Sequence, residues 1–406
     1  MNSLKFPLRI ALASLLLCTC SSILFAQTDT TYRVALILPF QSETTIGRLD
    51  EITNAHDLTT ANRVHFNEDA TLSLDYYQGT LQALNEDSDV KVQLNVYDSW
   101  NSDSVTAEIL KQPEMQKMDF IIGSMSTSTA KLVADFCKQN HILNIQPFTP
   151  SKSLTTENIY HLKLAPTIDA HIDNLFLSIL DSFPDANIII YTPKNEKCLP
   201  LAQRFDSLFR QYDSTVEHKY PVSFINTSDQ MVNGKKTSLN ELIDPAKTNI
   251  LILTSYDEPF VQSTLRSIYE KSAKTNIVVY GLPTWLSGDI LRLDYLNAFH
   301  TRLSDAFLAD TAKQKTKDFI EHYAANFFVE PAKYSYLGYD VMNFLMRSVK
   351  AYGKDFLPQL STQRYTGTGY KFDIGPSMKN ATTINYYENN RVNVLKVEDF
   401  RLKKVW

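Results

Sequence analysis

One rhythm constrains this chain more than any other feature. Short, continuous apolar runs alternate with amphipathic stretches for most of its length. RVALILPF (33–40), VKVQLNVYDS (90–99), DFIIG (119–123) and HILNIQPF (141–148) read as strands. LSLDYYQGTLQALNED (72–87), SVTAEILKQ (104–112) and STSTAKLVADFCKQN (126–140) between them carry apolar residues at helical spacing. Buried parallel strands look like such continuous runs, and β-α-β repetition predicts a parallel sheet covered by helices on both faces.

The rhythm restarts near NIYHLKLAP (158–166), with helices predicted at 168–183 and 197–212 and strands at NIIIYTP (187–193), NILILTS (249–255) and NIVVYGLP (276–283). The fold class expected is therefore α/β, with two doubly wound, Rossmann-like lobes. Helices at 313–328 and 336–353, the second stopped by Gly353, and strands in 366–375 and 383–400 are too few for a third core. They are expected to pack on the two sheets, with the chain crossing between lobes more than once. The division predicted is a leader at 1–26, lobe 1 at 27–159, lobe 2 at 160–285, a return to lobe 1 at 286–360, and a hairpin region at 361–406 returning to lobe 2 or the hinge. Residues 41–71 show no periodicity. An insertion that long after a strand's carboxyl end is expected at the rim of a ligand crevice.

The first residues are a targeting signal. Lys5 and Arg9 precede the apolar run Ile10 to Leu17, and Leu24-Phe25-Ala26 precedes Gln27, which predicts secretion with cleavage after Ala26. Cys18 and Cys20 leave lipid anchoring open, although Leu17 and Thr19 are not the small residues that such a site wants. Cys137 reads as a core residue, and a Cys137–Cys198 bridge stays open. With 40 basic and 45 acidic residues and no basic stripe, nucleic acid is not expected as a partner.

Catalytic signatures are missing from the sequence. There is no GxGxxG after the first strand, no GxxxxGK[ST], no GxSxG and no HExxH. His161 and His171 are expected at the surface or the lobe junction rather than on a metal. The reading is of a non-enzyme with no cofactor.

Polar and aromatic residues do gather at strand carboxyl ends, where doubly wound sheets place ligands. The first half offers Ser126, Thr127 and Ser128, then Gln146, Phe148 and Thr149; the second offers Tyr191, Thr254, Tyr256 and Trp285. Hydroxyls beside a helix N-terminus complete a site for a carboxylate or phosphate group, yet serine and threonine are also ordinary helix caps. Both readings stay open for the Ser126 cluster. Tyr76 and Trp100 are expected in the core or at the rim.

VALILPF, DYYQGTLQAL, DFIIGSMSTSTAKLVADFCKQNHILNIQPFTPS, NIYHLKLAP and YSYLGYDVMNFLMRSVKAYG together resemble the type I periplasmic binding proteins over residues 32 to 395. That group includes leucine/isoleucine/valine-binding proteins and receptor ligand-binding regions. The wording is most similar to versions from Bacteroidetes-type bacteria. The resemblance implies two lobes joined by a three-strand hinge that close on a ligand. It also implies that Ser126, Thr127, Ser128, Phe148 and Thr149 hold a ligand carboxylate, answered by Tyr191 and Tyr256. Ser124 stands where the family commonly has proline, and only Asp257 and Glu258 are near enough to be weighed for an amino group.

Two readings follow. One is an extracytoplasmic solute-binding protein for a small polar, amino-acid- or peptide-like ligand, delivering it to a membrane transporter or sensor of the ABC type. The other is a periplasmic scaffold or regulator whose partner is a cell-wall enzyme. The 41–71 insertion would gate the crevice in the first and block it in the second.

Overall fold

A computed structural model describes residues 30–44, 67–86, 89–216, 220–227, 231–232, 235–271, 276–286, 291–362 and 364–406. The expected leader, with Cys18 and Cys20, and residues 45–66 of the insertion lie outside the described residues.

Strand β1 (Thr31–Leu38) shows why the apolar runs become inner strands. Alternate side chains leave opposite faces. Val34, Leu36 and Leu38 enter one core, while Ala35 and Ile37 enter another. Both faces of the sheet are therefore covered. β1 lies between β2 (Lys91–Asp98) and β3 (Phe120–Gly123), parallel to both. β4 (Leu143–Gln146) and β5 (His161–Lys163) continue the parallel array.

Helices α2 (Asp103–Lys111) and α3 (Thr127–Asn140) cover the face bearing Ala35 and Ile37. The opposite face takes α1 (Glu68–Glu86), which crosses α9 (Lys333–Tyr352) in backbone contact. A Cβ on Gly79 would stand 1.9 Å from the Ser335 carbonyl oxygen, and one on Gly338 would stand 2.0 Å from that of Tyr76. Only glycine fits at either point.

The second sheet repeats the plan. α4 (Ile168–Ser182), β6 (Asn187–Thr192), α5 (Leu199–Asp213), β7 (Val222–Asn226), a short ribbon of β8 (Met231–Val232) and β9 (Lys235–Lys236), and β10 (Asn249–Leu253) follow in turn. Then come α6 (Glu258–Lys271), β11 (Ile277–Tyr280), α7 (Leu293–Ala298) and β12 (Arg302–Asp305). β12 leads to α8 (Gln314–Phe327), whose Phe319 and Tyr323 are buried in the first lobe, and then to α9.

The tail is shared between the lobes. β13 (Arg364–Thr366), β14 (Lys371–Met378) and β15 (Ile384–Asn389) extend the first sheet, giving the order β13-β14-β15-β5-β4-β3-β1-β2. β16 (Asn393–Glu398) and β17 (Arg401–Lys404) extend the second, giving β17-β16-β12-β11-β10-β6-β7. The chain thus crosses three times: after β5, after β12 and between β15 and β16. His161–Lys163, placed by sequence at the start of the second lobe, pairs with β4 in the first sheet; Arg302–Asp305, placed in the first, pairs with β11 and β16 in the second. The 361–406 region, expected to return to lobe 2 or the hinge, feeds both sheets.

Cys137 is a core residue as read, and both it and Cys198 are free and buried, on α3 of one lobe and at the start of α5 of the other, so the bridge left open is not formed. One other expectation changes. His161 and His171 are interior, at 1% and 9% exposed. Their Nδ1 atoms meet Asn144 Oδ1 at 2.8 Å and Ser304 Oγ at 2.9 Å. Burial pushes His161 down to about 3, with Lys163 adding to it, and His171 down to about 4.

Candidate functional site

The site is built from the turns that follow β3 and β4. Gly123 ends β3 with φ of +121°, and a Cβ there would lie 2.3 Å from the Ile37 carbonyl oxygen. Only glycine lets the chain turn this close to β1. Three residues on, Ser126 caps α3: its Oγ accepts from Thr129 N at 3.3 Å and lies 2.7 Å from Thr129 Oγ1. The cap reading of Ser126 is therefore correct as far as it goes.

Gln146 holds the two turns in register. Its side chain is fully buried, and Nε2 donates to the carbonyls of Gly123 (3.2 Å) and Ser124 (2.9 Å). Its Oε1 accepts from the backbone N–H of Phe148 (2.9 Å) and Thr149 (3.4 Å). One amide thus satisfies four backbone groups of two loops. Gln146 is a positioning residue, not a surface that a ligand could touch. With the turns so fixed, Thr127 Oγ1 comes 3.4 Å from Thr149 Oγ1, and Thr127 and Ser128 remain exposed.

Aromatic rings back this shelf. Phe148, half-buried, lies 4.9 Å from Tyr76 and stacks at 6.2 Å on Tyr334. Tyr76 is wholly interior, and Trp100 is half-buried on a left-handed backbone with φ of 54°. Tyr334 escaped sequence reasoning because it sits in the first turn of a helix far along the chain. Burial raises its phenol, with Asp69 and Glu68 adding to the effect. The buried hydroxyls of Tyr76, Ser124 and, across in lobe 2, Thr254 find no hydrogen-bond partner among the described residues.

Lobe 2 disperses its candidates. Trp285 is 3% exposed, packs over Gly281, and donates its indole N–H to the Ser255 carbonyl at 2.9 Å. Thr254 is fully buried at the end of β10. Tyr191 stacks on Phe260 at 5.8 Å and lines a cavity with Leu239 and Ser263 inside lobe 2. Tyr256 alone is open, at 40% exposed, and burial, with Cys198 nearby, raises its phenol. Asp257 Oδ1 accepts from Phe260 N at 3.2 Å, serving the start of α6. Among the described residues no hydrogen bond or ring contact joins the Ser126–Thr149 group to these lobe 2 residues.

Charged residues hold the lobe junction itself. Lys152, beyond β4, pairs with Asp169 on α4, and Arg204 of α5 takes Asp173 at 2.6 Å and Asp169 at 3.6 Å. They line a cavity of about 280 Å³ together with Glu388 and Thr167. Behind it, Lys163 is buried, 3.3 Å from Glu388 and 3.1 Å from the Tyr386 hydroxyl. A larger cavity, about 590 Å³, opens at the amino-end edge of the first sheet between Lys117, His141 and Lys354, far from the strand carboxyl ends. Among the described residues no cluster of three His, Cys, Asp or Glu could hold a metal, and no helix is long and apolar enough to cross a membrane.

No family model matches the sequence, and no curated protein matches it. Solved structures do match the fold. A branched-chain amino acid ABC transporter protein from Rhodospirillum rubrum superposes with a TM-score of 0.61 at 13% identity, over 93% of this chain and 100% of that one. An ABC transporter substrate-binding protein from Desulfitobacterium hafniense, in complex with leucine, gives 0.52 at 13% identity, covering 93% and 100%. A solute-binding protein of an ABC transporter from Rhodopseudomonas palustris, in complex with 3,4-dihydroxybenzoic acid, gives 0.50 at 13% identity, covering 92% and 96%. The chain has the two-lobed fold of the type I periplasmic binding proteins.

Proposed function

We propose that this two-lobed chain is an extracytoplasmic solute-binding protein that closes on a small organic ligand carrying a carboxylate, and that it serves a membrane transporter. The observation that carries the reading is the shelf at the start of α3. Exposed Thr127 and Ser128 sit beside the N–H groups of a helix N-terminus, while buried Gln146 holds the loops in place. Such an end favours an anion through free N–H donors and the helix dipole. The Phe148–Tyr334 stack beside it suits an apolar or aromatic body. The ligands named for the similar structures, leucine and a dihydroxybenzoate, share that combination of carboxylate and apolar group. On this reading Tyr256, the exposed candidate of lobe 2, answers it from the other lobe.

Binding that favours one lobe arrangement shifts an equilibrium and needs no catalytic group. The test is a thermal-shift panel of amino acids, aromatic carboxylates, muropeptides, sugars and nucleosides. A ligand at a hundredfold excess over its Kd stabilises by about 2.7 kcal/mol. One carboxylate class should raise the melting temperature by that mechanism, and Thr127→Val with Ser128→Ala should abolish the rise. Stabilisation by sugars or nucleosides alone, or by nothing in the panel, would overturn the reading.

A further inference from the structure

The cavity of about 590 Å³ lies at the amino ends of β3, β4 and β5, the opposite pole of lobe 1 from the shelf. Small-molecule sites occupy about 300–1,000 Å³. The chain turns sharply beside this space. α3 ends on His141 in the left-handed region, with φ of 57°, and α9 stops at Gly353, with φ of 72°. The segments that enter β3, β4 and β5 and the one that leaves α9 frame the opening.

The floor is apolar: Met118, Ile142, Leu143 and Leu357 line it and are all buried. Tyr387 completes it at 6% exposed, and its hydroxyl has no hydrogen-bond partner among the described residues. A buried tyrosine ordinarily bonds through that group, so this one is left for an occupant. On one wall the His141 and Tyr160 rings stack, with centroids 5.0 Å apart and planes at 26°, and present a flat aromatic face. Lys117 and Lys354 stand at the rim, exposed, and neither has an ion-pair partner among the described residues. Two acids also line the cavity. Asp119 is turned to the fold, its Oδ2 accepting from the Arg33 N–H at 2.8 Å, and Asp355 is exposed beside Lys354.

A flat aromatic wall, an apolar floor, a donor in that floor and two cations at the rim together define one ligand chemistry. We propose that this cavity binds a planar hydroxyaromatic carboxylate, with its carboxylate at Lys117 and Lys354 and its ring oxygen, deeper in, at the Tyr387 hydroxyl. The site is distinct from the shelf. The 14 residues of α3 separate the two by about 21 Å. Either reading can fail alone.

Fluorescence titration of the full chain with 6-hydroxy-2-naphthoate tests it, with 2-naphthoate and decanoate in parallel arms. Saturable binding of the hydroxynaphthoate is expected, and 2-naphthoate should bind about fivefold more weakly, the effect of one neutral hydrogen bond. Tyr387→Phe, which keeps the ring, should bring the two to equal affinity. Lys117→Gln with Lys354→Gln should weaken both about tenfold. Thr127→Val with Ser128→Ala should change binding here less than about twofold, since such distant sites act independently. The ring protons of His141, assigned with His141→Gln, should shift in NMR spectra as the site fills. Absence of saturable binding overturns the proposal, as does binding that the Tyr387 and lysine variants leave unchanged. Loss of binding in the Thr127 and Ser128 variant would put the probe on the shelf and overturn it too. Decanoate bound in preference to both naphthoates overturns it in favour of an alkyl chain.

Discussion

The two lobes share a topology but treat the polar residues at their strand ends in opposite ways. In lobe 1, Gln146 is buried so that Thr127, Ser128 and Thr149 can stand together at the end of the sheet. In lobe 2, the residues at the corresponding ends turn inward. Trp285 closes over Gly281 and bonds Ser255, Thr254 is interior, and only Tyr256 stays open. A polar side chain at a strand end is therefore ambiguous until its partner is known. If the partner is backbone, the residue builds the loop; if it has none, the residue is left for something else.

The largest expected break of that symmetry is Trp285→Ala. Removing a buried indole and its hydrogen bond should cost about 3–5 kcal/mol, felt in lobe 2. Chemical denaturation followed by lobe-specific hydrogen exchange should show β10 and β11 losing protection while β1 and β3 keep theirs. Unchanged stability would mean that Trp285 is not a core residue.

Gln146→Ala is the lobe 1 counterpart, expected to cost about 2–4 kcal/mol because it leaves buried backbone groups unpaired. Unlike Trp285→Ala, it should also abolish the ligand-induced thermal shift, since the shelf loses its register. If binding survived, the shelf would not need its clamp.

Acid compares the lobes on equal terms, because among the described residues each buries one histidine. His161 and His171 titrate in the fold at about 3 and about 4, below the usual value of about 6.5. Between those values the unfolded chain binds more protons than the native one, so stability is present above about pH 6.5 and is lost as pH falls. Each histidine should contribute a slope of about 1.4 kcal/mol per pH unit between pH 6 and 5. His171→Gln should remove the share of lobe 2 and His161→Gln that of lobe 1, measured as the slope of unfolding free energy. His171 stops contributing near pH 4, where His161 still does.

Much of this architecture is legible in residue patterns. β1, β3, β6 and β10 are continuous apolar runs, and covering both faces of a sheet requires such runs. Gly353 ends α9 where the helical spacing stops. That the chain crosses more than once is legible, but the points at which it crosses are not. His161–Lys163 and Arg302–Asp305 are short and polar, and which sheet they join depends on partners more than a dozen residues away. The same reason hides the fate of Trp285. Burial of an indole beneath its own loop and its exposure to a crevice both need an aromatic at that position. Gln146 and Thr149 both follow β4 as polar residues at a strand end, but nothing in the sequence separates the one that holds the loop from the one held by it.

The smallest effect sharpens the comparison within one turn of α3. Ser126 and Thr127 are neighbours of nearly the same chemistry, but only Ser126 bonds a backbone donor of the helix. Ser126→Ala should therefore cost about 1 kcal/mol of stability, the value of an N-cap. Thr127→Val should cost less than about 0.5 kcal/mol, as an exposed position with a single 3.4 Å contact to Thr149. Ligand affinity should rank them the other way, with Thr127→Val losing more than Ser126→Ala. Two opposite rankings from adjacent hydroxyls would separate the cap from the shelf. If both substitutions lowered stability and affinity in the same order, the cluster would be a helix cap and nothing more, and lobe 1 would have turned its polar residues to the fold just as lobe 2 has.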